Sequence, residues 1–306
     1  MQTISLQDLW SAYNFNPNPK QEEAICHATG PLFLTAGPGS GKTRVLLWRT
    51  VNLIVFHNVK PEEIFLSTFT EKAALQLKEG LQTLLGLVTN ITGQPYDISK
   101  MAIGTVHAIC QQLNQDRRFS SDGGRRGALV VLDELGQYFR LYNRRYWMEL
   151  IEVAGFHDEE TAQRAINIYL DGRNLYSRHE AVTNCIKLFN RFSEECLEPN
   201  QVTLNGEPEL EALLKMYGHY KADLHSNPRV PIADFSLLQQ QALQIIDNFE
   251  GAGQVFKHII IDEYQDTNNI QERLFFALAK GHQNICVVGD DDQALYRFRG
   301  ATVENL

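Results

Sequence analysis

Leu32-Phe-Leu-Thr-Ala-Gly-Pro-Gly-Ser-Gly-Lys-Thr43 is a short apolar run that breaks into a glycine-rich turn and then enters a stretch of helical spacing, Lys42–Phe56. Strand, glycine-rich loop and helix together form the context that a phosphate-binding loop needs. Glycines at 37, 39 and 41 let successive backbone N–H groups turn inward around an anion. Lys42 then sets a point charge near the β- and γ-phosphates of a nucleotide, and the Thr43 hydroxyl is a ligand for Mg²⁺. The leading position of the pattern G-x-x-x-x-G-K-[ST] is Ala36, a methyl group that leaves the lysine and threonine chemistry untouched. The candidate phosphate cradle is thus Ala36, Gly37, Pro38, Gly39, Ser40, Gly41, Lys42 and Thr43.

Working outward, three more apolar runs read as buried strands: Ile64–Ser67, Val255–Ile261 and Ile285–Val288. Helical spacing follows the first two at Glu71–Leu85 and Gln271–Ala279, and a further short strand is expected before Thr105, leading into a helix through Leu113. Strands alternating with helices predict an α/β fold, a P-loop parallel sheet with helices on both faces. The middle of the chain differs. Between Asp116 and Val230 there are amphipathic stretches, Leu135–Val153 and Thr161–Leu170 among them, without strand alternation. The expectation is a mostly helical insert at 116–231 that interrupts an ATPase domain formed by 1–115 and 232–306.

A phosphate loop needs a metal carboxylate at the end of a neighbouring strand, and His258-Ile-Ile-Ile-Asp-Glu263 supplies one. The apolar run delivers Asp262 at its carboxyl end, where open α/β sheets bind ligands. Asp262 is expected to hold Mg²⁺, mostly through water, and Glu263 to orient or deprotonate an attacking water. Ile285-Cys-Val-Val-Gly-Asp290 runs into Asp-Asp-Gln293, which puts a neutral amide in reach of a γ-phosphate over the same sheet edge. An Asp-Glu pair after a strand is often only a helix cap, and an acidic triplet only a solvated loop. Their reading depends on the phosphate loop upstream.

Composition bounds the rest. At 306 residues, with 43% hydrophobic and 21% charged residues, the chain is of two-domain size, neither disordered nor collagen-like. The net charge of -9 excludes a wholly basic surface but leaves room for a local basic groove. Arg117, Arg118, Arg125, Arg126, Arg140, Arg144 and Arg145 form such a cluster, read either as a phosphate-backbone patch or as a solvated face paired with Asp122, Asp133 and Glu134. Five cysteines without a C-x-x-C pair fit a reducing, cytoplasmic setting, and neither a secretory signal nor a membrane-spanning run is expected. His107 with Cys110, and Cys185 with Cys196, lack further ligands at metal spacing.

These residues resemble a known family. Thr35-Ala-Gly-Pro-Gly-Ser-Gly-Lys-Thr-Arg44, Ile261-Asp-Glu-Tyr-Gln-Asp-Thr-Asn268 and Val288-Gly-Asp-Asp-Asp-Gln-Ala-Leu-Tyr-Arg-Phe-Arg-Gly-Ala301 are similar to helicase motifs I, II and III of UvrD/Rep-type superfamily 1 DNA helicases, which move 3′ to 5′. Asn18-Pro-Lys-Gln21 resembles the Q motif, Ser67-Thr-Phe-Thr-Glu-Lys-Ala-Ala74 motif Ia and Gly104-Thr-Val-His107 motif Ib. The resemblance implies a RecA-like first motor domain with a helical accessory insert, using ATP and Mg²⁺. It implies that Gln21 and Arg44 contact adenine, that Lys42, Thr43, Asp262, Glu263 and Gln293 form the hydrolysis site, and that Phe69, Thr70, His107, Tyr296 and Phe298 line a track for single-stranded DNA. Aromatic faces stack on bases without reading sequence, which suits that track. Phe298 stands where many relatives carry tryptophan. Phe69 also reads as a core residue at a strand-to-helix junction, and His107 as a buried histidine or a helix cap.

Family members continue with motifs IV, V and VI on a second RecA-like domain, which brings an arginine that stabilises the transferring phosphoryl group. The sequence ends at Leu306, so the expectation is that these 306 residues do not unwind DNA alone. The chain reads as a piece of a full helicase or as one subunit of a split motor whose second chain carries motifs IV–VI. A different class, a non-catalytic or regulatory module that binds single-stranded DNA, predicts salt-sensitive association independent of ATP. A small-molecule kinase leaves the Ia, Ib and aromatic features unexplained.

Overall fold

The computed structural model describes residues 4–37, 39–119, 129–199, 206–226 and 231–290. Its strands are β1 (Leu32–Thr35), β2 (Ile64–Thr68), β3 (Ala102–Thr105), β4 (Val130–Leu132), β5 (Ile232–Asp234), β6 (His258–Ile261) and β7 (Ile285–Gly289). The helices are α1 (Leu6–Ala12), α2 (Pro19–Cys26), α3 (Lys42–Val55), α4 (Glu71–Thr92), α5 (Val106–Gln115), α6 (Glu134–Tyr142), α7 (Arg144–Ala154), α8 (Glu159–Asp171), α9 (Arg178–Glu194), α10 (Pro208–Leu224), α11 (Phe235–Asp247), α12 (Ala252–Val255) and α13 (Asn269–Ala279). The chain divides into two units, Met1–Gly123 with Leu243–Leu306, and Gly124–Ala242.

The first unit is built on a five-stranded sheet of order β1-β7-β6-β2-β3, parallel throughout, with Leu34 opposite Val288, Ile260 opposite Cys286, Leu66 opposite Ile260 and Phe65 opposite Ala102. Parallel pairing demands crossover connections, and helices supply them. The order has one consequence for the site. β1 and β2 follow each other in sequence but leave a gap of two strand positions, which β6 and β7 fill. Residues more than two hundred positions downstream thereby arrive beside the loop that leaves β1. β2 and β6 are buried at every residue, as continuous apolar runs covered on both faces should be.

β1 departs from the expected buried strand. It hydrogen-bonds to β7 alone among the described strands, and its burial alternates, with Phe33 46% exposed. A four-residue apolar run does not distinguish an edge strand from a central one. The run Val255–Ile261 is also not one strand: its start closes α12, the backbone becomes extended at Phe256, and the strand itself begins at His258. The core between the sheet and its helices gathers Leu9, Ile25, Leu46, Trp48, Val51, Leu66, Leu81 and Ile260, with Phe15 stacked on Trp48 at 5.6 Å between ring centroids.

In the second unit, helices α6 to α10 pack around Trp147, Phe189, Tyr217 and Tyr220, all fully buried. The amphipathic stretch Leu135–Val153 is two helices, because the Asn143 side chain accepts from the backbone N–H groups of Arg145 and Tyr146 and starts α7 afresh. β4 and β5 form a parallel pair that the reading of a strand-free middle did not anticipate. Three residues are too few for periodicity to register. Among the described residues no helix is long and apolar enough to cross a membrane.

Candidate functional site

All five strands of the parallel sheet end at one edge, and four of them, β1, β2, β3 and β6, deliver sequence-predicted residues there. Past β1 comes the glycine-rich loop, past β2 come Phe69 and Thr70, past β3 comes His107 in the first turn of α5, past β6 come Asp262 and Glu263, and past β7 comes Asp290. Pro38 lies outside the described residues.

The loop is held at three points. The Ala36 N–H donates to the Gly289 carbonyl across the sheet at 3.3 Å, and the Ser40 N–H donates to the Gly37 carbonyl at 3.4 Å. The third point is Gln21, whose Nε2 donates to the Ser40 carbonyl at 3.0 Å while its Oε1 accepts from the Asn18 N–H at 3.0 Å. Gly41 is the N-cap of α3 with φ +85°, where an L side chain is strained, and a Cβ there would sit 3.3 Å from Gln21 Nε2. No side chain caps α3, so its first-turn amides keep their donors for an anion. Lys42 is half-buried at the first helical position, and Thr43 and Arg44 are exposed beside it. The Arg44 guanidinium lies over the Phe15 ring, 5.3 Å from its centroid.

Sequence reasoning missed what clips α2 to α3. Arg49, 1% exposed, donates to the Ala24 carbonyl at 2.9 Å and to the His27 carbonyl, and Asn52 Nδ2 donates to the Ile25 carbonyl at 3.0 Å. These are the end carbonyls of α2, which the helix itself leaves unsatisfied. The available signal was an arginine and an asparagine interrupting the apolar stripe of α3.

Asp262 is buried at the end of β6, its N–H donating to the Ser67 carbonyl at 2.8 Å. Burial pushes its carboxyl up from 3.8 to about 6, and the neighbouring Glu263 charge adds to the rise, while the Glu263 N–H at 3.1 Å and the Lys42 charge oppose it. Excess negative potential of this kind is what a cation relieves. Glu263 has left-handed backbone, φ +55° and ψ +46°, which costs a non-glycine residue about 1–2 kcal/mol. A short 3-10 turn, Tyr264–Asp266, follows. Within it Gln265 donates from Nε2 to Glu263 Oε2 at 2.6 Å.

The expected DNA-track residues are in part described. Phe69 is half-buried, between its two readings. Thr70 is exposed and caps α4, its hydroxyl oxygen accepting from the Ala73 N–H at 3.1 Å. Burial lowers His107 to about 4, so its imidazole is neutral at neutral pH. Gln293, Tyr296 and Phe298 lie outside the described residues, as do Arg125 and Arg126. The remaining arginines divide between the units. Arg118 pairs with Asp116 at 2.7 Å and lies over Phe256, and Arg140 pairs with Asp223, whereas Asp122, one of the acids the sequence suggested, lies outside the described residues. Arg117, Arg144 and Arg145 are exposed.

A parallel sheet with an uncapped glycine-loop helix at one strand end and a buried carboxylate at a nearby one defines an α/β domain of the phosphate-loop class. Within that class, residues 17–306 match the UvrD/REP helicase N-terminal domain, and the chain belongs to that family. It is 31% identical over 295 residues to the ATP-dependent DNA helicase PcrA of Bacillus subtilis, covering 94% of this chain and 34% of that protein. It is 29% identical to DNA helicase II of Escherichia coli, over 94% of this chain and 35% of that one, and 29% identical to the ATP-dependent DNA helicase SRS2 of Saccharomyces cerevisiae, over 99% and 25%. The chain thus spans about a quarter to a third of the length of these curated relatives.

Proposed function

We propose that this chain is the ATP-binding and ATP-hydrolysing N-terminal motor half of a UvrD/Rep-type 3′–5′ DNA helicase, acting on single-stranded DNA in the cytoplasm. In this reading a RecA-like motor domain is interrupted by a helical accessory domain, which the compact unit Gly124–Ala242 supports. Unwinding belongs to the assembly that includes motifs IV–VI, on the rest of a longer chain or on a second one. The observation that carries the reading is one juxtaposition: the loop ahead of Lys42 leaves β1 and the Asp262–Glu263 pair leaves β6, two strand positions along at the same end of one parallel sheet.

From there the residues divide the work. The α3 amides and Lys42 bind the phosphates of ATP, and the glycines keep the cradle open. Thr43 and Asp262 would hold Mg²⁺, which when bound would neutralise charge developing on the phosphates. Glu263 orients the attacking water, and Gln293 senses the γ-phosphate. Gln21 and Arg44 flank the adenine, with Gln21 tied to Ser40 so that base contact and cradle shape are linked. Phe69, Thr70, His107, Tyr296 and Phe298 line the single-strand track, and His107 does so uncharged.

The test is Mg-ATP binding and hydrolysis by the 306-residue chain, with and without single-stranded DNA, beside Glu263→Gln. The reading predicts nucleotide binding in both proteins, with turnover removed in the variant. Failure of the wild-type chain to bind Mg-ATP, or turnover undiminished by Glu263→Gln, contradicts it.

A further inference from the structure

Gln265 is 2% exposed, and its single side-chain amide is used at both ends. Nε2 donates to Glu263 Oε2 at 2.6 Å, and Oε1 accepts from the backbone N–H of Asp290 at 3.1 Å. The first bond reaches the carboxylate that follows β6, and the second reaches the residue that follows β7. The same end of β7 is held from its other side by the phosphate loop, through the Ala36 N–H on the Gly289 carbonyl. Loop, Gly289, Asp290, Gln265 and Glu263 therefore form a continuous chain of backbone and hydrogen bonds around the phosphate end of the sheet.

An amide suits this place for a physical reason. It is planar, so its donor and acceptor ends turn together, and it offers the carboxylate a donor and the backbone N–H an acceptor. A carboxylic acid side chain, ionised, would repel Glu263, and a hydrocarbon would bond to neither. The Asp290 N–H is in a buried residue, where losing its acceptor is costly, so that backbone follows the amide. The backbone of Glu263 is already fixed by the Asp262 N–H on Ser67 and by the Asp266 N–H on its own carbonyl at 3.0 Å. What remains free is the side chain, and Gln265 restrains its charged end.

We propose that Gln265 is a positioning residue that aims the Glu263 carboxylate and couples it to the end of β7, so that nucleotide occupancy of the loop reaches Asp290 through one buried amide. The inference rests on the reading of residues 36–44 with Asp262 and Glu263 as a nucleotide site. When Glu263 orients a water at the phosphate end of a bound nucleotide, Gln265 loses its freedom to rotate, and the Asp290 N–H loses its route to exchange with solvent.

The test is hydrogen exchange of the Asp290 amide in the 306-residue chain, free and saturated with Mg²⁺ and ATPγS, a slowly hydrolysed probe whose affinity is measured by titration. In the wild type, nucleotide slows exchange at Asp290 at least tenfold. Gln265→Met loses both bonds, so exchange is at least tenfold faster without nucleotide and changes less than twofold on binding. Gln265→Glu keeps the acceptor for Asp290 and loses the donor to Glu263, so protection without nucleotide survives and the nucleotide response disappears. A merely structural role does not separate the two variants in this way. ATPγS affinity is measured for each variant, so that every comparison is made at saturation. A nucleotide response retained in either variant, or absent from a wild type that binds ATPγS, overturns the coupling alone. A wild type that binds no ATPγS overturns the site reading beneath it.

Discussion

Replacing Asp262 by asparagine stabilises the nucleotide-free protein while disabling its site. The carboxyl is raised from 3.8 to about 6, so the folded chain binds a proton more readily than the unfolded one. Stability from this group therefore falls as pH rises between about 4 and 6, and the full penalty is present above that window. A rise of this size corresponds to about 3 kcal/mol at pH 8, and roughly half of it remains at pH 5. Asparagine keeps an oxygen for the Glu263 N–H and removes the charge, giving up only the attraction to Lys42. The expected gain for Asp262→Asn is thus about 1–3 kcal/mol at pH 8, shrinking toward pH 5. The assay is urea unfolding followed by tryptophan fluorescence in a Trp147→Phe background. The signal then comes from Trp10 and Trp48, buried in the unit that holds Asp262. With Mg-ATP added the order reverses, because ligand stabilises only the protein that binds it. An Asp262→Asn chain no more stable than wild type at pH 8, or a difference that does not vary with pH, refutes the reasoning.

Three further outcomes follow from the same geometry. Gly41→Ala combines a left-handed backbone with a Cβ 3.3 Å from Gln21 Nε2, and is expected to cost about 1–2 kcal/mol in urea unfolding and to weaken nucleotide binding; an unaffected midpoint contradicts this. Arg49→Met strands two carbonyls of α2 and is expected to cost about 1–3 kcal/mol, with faster tryptic cleavage at the exposed Lys20; unaltered cleavage contradicts the clip. His107→Asn leaves the salt dependence of single-strand binding unchanged at pH 7.5, because the imidazole is already neutral, whereas a lost cationic contact lowers the log–log slope by about 0.7.

The parts of this protein that were legible in its sequence are those where chemistry and chain direction coincide. Glycines 37, 39 and 41 announce a loop, the spacing after Lys42 announces a helix, and the apolar run before Asp262 announces a strand end. Local pattern carries that much. What it does not carry is which strand lies beside which. Among the described strands β1 pairs with β7 alone and β6 and β7 fill the gap before β2, facts of topology and not of the four residues themselves. The break at Asn143 is written in one capping side chain inside an otherwise continuous stripe, and β4 and β5 are too short for any period to show. Arg49 and Gln265 were missed for a further reason. Each acts on backbone groups twenty-two to twenty-five residues away, and no spacing rule links such pairs. The arginine cluster shows the same limit: Arg140 pairs with Asp223, eighty-three residues away, which nearness in sequence does not suggest, whereas Arg118 pairs with Asp116 two residues before it.

The central claim is that the loop from Ala36 to Thr43 binds nucleotide through Lys42. It is tested most directly by titrating fluorescent ATP with Mg²⁺ into the wild-type chain and into Lys42→Ala, with melting curves to verify that both are folded. The account predicts saturable binding by the wild type and a loss of at least a hundredfold in the variant. Equal affinity in two folded proteins contradicts it, because the cation that opens α3 at the mouth of the cradle would then be irrelevant to what the cradle holds.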